Sequence, residues 1–109
     1  MNNYKPDPNE GWVGFDFDGT LVKHAYPSIG EVIPSMLIRL KSYLNRGIRV
    51  KIMTARASDS NQIPILQAWC KSVGLPKLEV TNQKDYLMIR LYDDRARQVL
   101  TDTGIVVGE

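Results

Sequence analysis

VGFDFDGTLV, residues 13 to 22, places two carboxylates, Asp16 and Asp18, where an apolar run gives out, and Gly19 and Thr20 follow at once. With Trp12 added, WVGFDF (12 to 17) predicts a buried strand that ends near Asp16. Gly19 lets the chain turn sharply after the second aspartate. TLVKHAYPSIG (20 to 30) then reads as a loop of turn residues. Two charges at the end of a buried strand need a reason, and the rest of the chain supplies one.

Downstream, PSMLIRLKSYLNRG (34 to 47) predicts a helix, with Pro34 in its first turn and Gly47 at its C-terminal cap. Met36, Leu37, Leu40, Tyr43 and Leu44 recur at helical spacing and form its core face. IRVKIMT (48 to 54) alternates as a second strand, and ARASDSN (55 to 61) is a polar loop. QIPILQAWCKSVG (62 to 74) predicts a second helix whose apolar face carries Leu66, Trp69 and Val73. KLEVTN (77 to 82) and MIRLYDD (88 to 94) read as third and fourth strands. RARQVLTDT (95 to 103) reads as a short helix and IVV (105 to 107) as a fifth strand. Alternating strands and helices imply an α/β fold: a doubly wound, mostly parallel five-stranded sheet with helices on both faces. Residues 1 to 10, polar with two prolines, read as a flexible N-terminal arm, and 11 to 109 as a single domain.

Composition sets outer limits. The chain has 109 residues, 43% of them hydrophobic and 24% charged, with a formal charge of +2 that is too small to argue for nucleic acid by itself. No apolar run approaches the ~20 residues of a membrane span, and no signal segment opens the chain. Cys70, the only cysteine, excludes an internal disulfide and reads as a small core residue. A cytoplasmic location is the expectation.

Asp16, Thr54 and Asp93 each fall at the predicted C-terminal end of a strand, the edge at which open α/β sheets bind ligands. Asp16, Asp18, Asp93 and Asp94 in one crevice would repel one another without a cation. Mg²⁺ answers this: it takes one or two carboxylates, keeps waters and accepts phosphate oxygens. Lys84 offers a compact positive charge for a phosphate. Thr54 offers a hydroxyl. A carboxylate beside Mg²⁺ can attack phosphorus to give an aspartyl-phosphate. A second carboxyl two residues on can protonate the leaving oxygen and then deprotonate water.

DFDGT (16 to 20) resembles the DxDGT signature of haloacid dehalogenase-like phosphohydrolases. Thr54 at the end of VKIMT, Lys84 in TNQKD and the acidic pair of LYDD follow in that family's order, so the resemblance covers about residues 12 to 107. It implies that Asp16 is nucleophile and metal ligand. Asp18 would be the general acid/base and also a metal ligand, through its backbone carbonyl. Thr54 would hold the phosphate, and Lys84 would neutralise nucleophile and phosphate. Asp93 would be the principal acidic metal ligand, with Asp94 assisting through water. It also implies sheet order 5-4-1-2-3. Family members that cleave carbon–halogen bonds lack the second acid, so Asp18 points to phosphomonoester hydrolysis or phosphoryl transfer.

Such proteins often carry a cap domain. Here residues 19 to 30 and 55 to 83 leave no room for one. An uncapped site implies either a large substrate, such as a nucleic acid end or a protein, or a homo-oligomer in which a neighbouring subunit acts as lid. Arg56 suits a phosphate contact, while Arg95 and Arg97 read as surface charges. In outline the chain resembles the phosphatase half of phage-type polynucleotide kinase–phosphatases, which implies a nucleotide or a nucleic acid 3′ end as substrate. Gly19, Thr20, Arg56 and His24 complete the substrate-binding set, His24 being weighed against an idle loop residue. Tyr26 reads as flap packing, with base stacking as its alternative. The competing functions are a receiver-like phosphoacceptor, a catalytically idle phosphate-binding module, and a DxD-bearing nuclease.

Overall fold

The computed structural model describes residues 10 to 109; all but Glu10 of the expected N-terminal arm lies outside them. Strands β1 (Trp12–Phe15), β2 (Arg49–Met53), β3 (Glu79–Thr81) and β4 (Met88–Tyr92) form one sheet in the order β3-β2-β1-β4. All neighbouring pairs are parallel, with Val13 opposite Val50 and Phe15 opposite both Ile52 and Tyr92. Helix α1 (Pro34–Asn45) joins β1 to β2, and α2 (Gln62–Ser72) joins β2 to β3. No helix among the described residues is long and apolar enough to cross a membrane.

Both helices end where the sequence predicts. The amide of Gly47 donates to the Leu44 carbonyl and that of Ile48 to Tyr43, closing α1 as Gly47 takes φ +76°. Leu40 and Tyr43 of α1 and Leu66, Trp69 and Cys70 of α2 are buried in one cluster with Val13, Phe15, Val50, Ile52 and Val80. Phe15 stacks on Tyr92 at 4.7 Å, and Phe17 meets the Trp69 ring edge-on at 4.9 Å.

That shared cluster puts both helices on one sheet face, as right-handed crossovers between successive neighbouring strands require. The expectation of helices on both faces is therefore corrected. The other face, carrying Trp12, Gly14 and Lys51, is crossed by residues 82 to 87, which run from β3 to β4 without a helix. Asp85 in this strap accepts a hydrogen bond from the Trp12 indole at 2.9 Å. Lys51 lies 4.5 Å over the Trp12 ring and pairs with Glu79 at 3.1 Å. Trp12 is thus fully buried beneath charged groups rather than beneath a helix.

The C-terminal expectation is also corrected. Residues 95 to 103 form no helix, and no fifth strand joins the sheet among the described residues. The amides of Leu100 and Val107 donate to the carbonyls of Ile105 and Gln98, both at 2.9 Å, and Val99 bridges Val106 antiparallel. The segment is a hairpin. Asp102 at φ 64° and Gly104 at φ +72° make its turn.

Candidate functional site

β1 and β4 lie side by side, so their C-terminal ends deliver Asp16 and the Asp93–Asp94 pair to the same place, where strand order reverses. The Asp16 amide continues the ladder, donating to the Tyr92 carbonyl at 2.9 Å. One carboxylate oxygen from each of Asp16, Asp93 and Asp94 lies within 4.8 Å of the others. Burial first, then the hydrogen bond to Asp94 and the charge of Asp93, push the Asp16 carboxyl from 3.8 up to about 7. Burial raises Asp94 as well, but bonds from Asp16 and His24 outweigh it and hold Asp94 below the usual carboxylate range.

The loop after β1 is pinned over this cluster. Leu21 and Val22 are fully buried, and Val22 bridges Val32. The Thr20 hydroxyl is 3.4 Å from Asp16 Oδ2 and 3.5 Å from Asp94 Oδ1. His24 Nε2 is 3.4 Å from Asp94 Oδ2. Gly19, at φ +88°, passes beneath that contact: a Cβ there would collide with the Asp94 carboxylate and come 2.6 Å from His24 Nε2. Glycine is needed here for space as well as for conformation.

Asp18 points to another partner. Arg56 Nε donates to Asp18 Oδ2 at 2.8 Å and Nη2 to Oδ1 at 2.7 Å, a bidentate pair. Arg56 Nη2 also donates to the Ser28 carbonyl, and Nη1 to the Pro27 carbonyl and Gln62 Oε1. Every guanidinium N–H is thus engaged, and the residue is only 5% exposed. Arg56 ties Asp18 to the flap and to the start of α2; it has no donor left for a phosphate. Its expected role in substrate binding is replaced by a positioning one.

Thr54 follows β2. Its amide donates to the Thr81 carbonyl, and its hydroxyl oxygen accepts from the Arg56 amide at 3.1 Å. Asp16, Asp18, His24, Tyr26, Thr54, Arg56, Asp93 and Arg95 share the lining of one cleft of about 840 Å³. Sequence reading missed Gln62 and Asn82 on that lining, and it weighed Arg95 as a surface charge over a substrate contact. Arg95 had a signal, since it follows the acidic pair directly and its amide is turned onto Asp93 Oδ1 at 2.7 Å.

Lys84 is not brought to this cleft. It sits exposed on the strap, and among the described residues it forms no ion pair. The strap, which has no helix, leaves the sheet's C-terminal edge soon after Asn82. Of the cationic side chains on the cleft, Arg95 is the one whose donors the flap does not consume.

No protein-family model matches the chain, and no curated protein matches it. Among solved structures it is similar to a conserved protein from Bacteroides thetaiotaomicron, with a TM-score of 0.65 and 27% identity over 81% of this chain and 78% of that one.

Proposed function

We propose that the protein is an Mg²⁺-dependent phosphomonoester hydrolase that works through an aspartyl-phosphate on Asp16, as its resemblance to haloacid dehalogenase-like phosphohydrolases implies. The observation that carries this reading is the convergence of Asp16, Asp93 and Asp94 within 4.8 Å at the ends of adjacent parallel strands. Three carboxylates offer only hard oxygen donors, which suits Mg²⁺. The donor set therefore fits the ion. Asp16, Asp93 and the Asp18 backbone carbonyl would hold it, with Asp94 assisting. Bound there, it would neutralise the cluster and the substrate phosphate.

In the first step an Asp16 oxygen attacks phosphorus and the bond to the leaving oxygen breaks. That oxygen takes a proton from Asp18. For this, one of the two Arg56 bonds to Asp18 has to open. In the second step Asp18 takes a proton from water, the hydroxide attacks phosphorus, and the acyl-phosphate P–O bond to Asp16 breaks, releasing phosphate and restoring the Asp16 carboxylate. The Thr54 hydroxyl and Arg95 meet the transferring phosphoryl group, Arg95 taking the part expected of Lys84. The cleft has no cap among the described residues. A nucleotide or nucleic acid end, or a second subunit as lid, would exclude water.

The receiver-like alternative wants a phosphoacceptor aspartate on the third strand, and β3 ends in Thr81 followed by Asn82. The deciding experiment measures phosphate release from p-nitrophenyl phosphate and a nucleotide panel, with and without Mg²⁺. We expect Mg²⁺-dependent turnover that Asp16→Asn abolishes with the fold intact. No turnover on any substrate with metal bound would sink the proposal, and a long-lived phosphoaspartate after acetyl phosphate treatment would favour the receiver reading.

A further inference from the structure

Tyr26 stands out on the cleft wall as an aromatic ring 67% exposed to solvent. An idle loop tyrosine would be free to swing, but this one is backed. The Arg56 guanidinium carbon lies 4.9 Å from the Tyr26 ring centroid and 5.4 Å from that of Phe17 in the core. Arg56 is itself fixed by five hydrogen bonds, two of them to the carbonyls of Pro27 and Ser28, the residues that follow Tyr26. One ring face is therefore held against a buried, immobile cation, while the residue as a whole remains mostly exposed. The same Arg56 holds Asp18, so the ring stands beside the side chain that fixes the proposed general acid. Gln62 and Asn82, with amide groups suited to the polar edge of a base, line the same cleft.

We infer that Tyr26 is a pre-positioned stacking platform for a planar heteroaromatic group on the substrate, so that the cleft selects phosphate esters bearing a purine or pyrimidine base over those of simple sugars. The inference rests on the hydrolase reading for its catalytic consequence and on the Tyr26–Arg56 geometry for its binding consequence. A fixed ring loses little freedom when a base stacks on it. A base stacked on an aromatic side chain gains enough to be worth about tenfold in affinity.

The test compares kcat/KM for adenosine 3′- and 5′-monophosphates with that for ribose 5-phosphate, in wild type, Tyr26→Ala and Tyr26→Phe. We expect wild type to prefer the nucleotides by about tenfold or more. Tyr26→Ala should lose that preference through KM, its loss on the nucleotides exceeding any change on ribose 5-phosphate about tenfold, while Tyr26→Phe keeps it. An equal loss on both substrate types would make Tyr26 a flap support and overturn the inference, as would a wild type with no preference. If neither substrate turns over, the hydrolase reading fails by itself. Calorimetric titration with adenosine monophosphate then decides the platform: binding about tenfold weaker in Tyr26→Ala upholds it, and equal or absent binding overturns it.

Discussion

At the scale of single residues, Asp16 is the sensitive point. Its carboxyl is 3.8 when unperturbed and about 7 in the fold, so the folded state binds this proton more tightly. An acid raised on folding favours the folded state at low pH, and that contribution is lost as pH rises from about 4 through about 7. The metal-free protein should therefore lose about 2 kcal/mol of stability between pH 5 and pH 8, roughly 5–10 °C in Tm for a domain of this size. Mg²⁺ at pH 8 should restore it, and Asp16→Asn should flatten the profile. Thermal melts across that range check this; an unchanged slope in Asp16→Asn would assign the effect elsewhere. The sequence showed Asp16, Thr54 and Asp93 clearly, because a strand-end position depends only on local pattern. It did not show that Arg56 would spend all its donors, because Pro27, Ser28 and Gln62 come to it only through the folded flap.

At the scale of elements, the unusual piece is the strap between β3 and β4. From Thr81 to Met88 the chain crosses three strand spacings and steps back about four residues, roughly 19 Å in all. Residues 82 to 87 reach roughly 24 Å when extended, and the turn closed by Met88 on Asp85 uses up most of the difference. A strap that is nearly taut has to cover the sheet with whatever it carries, and what it carries over Trp12 is Asp85. Asp85→Ala would strand the buried indole N–H and should lower the urea midpoint clearly. Asp85→Asn keeps an acceptor and should lower it less than half as much. Urea unfolding of the two variants checks this, and equal losses would show that charge rather than the hydrogen bond matters. The path of the strap explains the misplaced Lys84. TNQKD was legible as a loop, but its path over the opposite face is set by a sheet order that local patterns do not encode.

At the scale of the whole molecule, the fold rests on one helical layer, and the C-terminal hairpin lies outside it. Residues 95 to 105 are exposed throughout, including Val99, Leu100 and Ile105, and the hydrogen bonds of the hairpin close within itself. The apolar runs VL and IVV fit a strand as well as a short helix. What separates a hairpin from a helix and a sheet strand is TDTG, whose Asp102 and Gly104 turn the chain back before either can form. A fifth strand in the sheet would contribute to the core, so its removal would unfold a domain this small. A hairpin whose residues are nearly all exposed contributes little. A chain ending at Arg97 should therefore keep its circular dichroism spectrum and melt within about 3 °C of the full chain, because fully exposed groups carry little stability. It should also keep any Mg²⁺-dependent turnover, since Asp93, Asp94 and Arg95 remain. A large loss of stability that scales with protein concentration would instead show the hairpin pairing with the open edge of β4 on a second copy, an edge that no described strand covers.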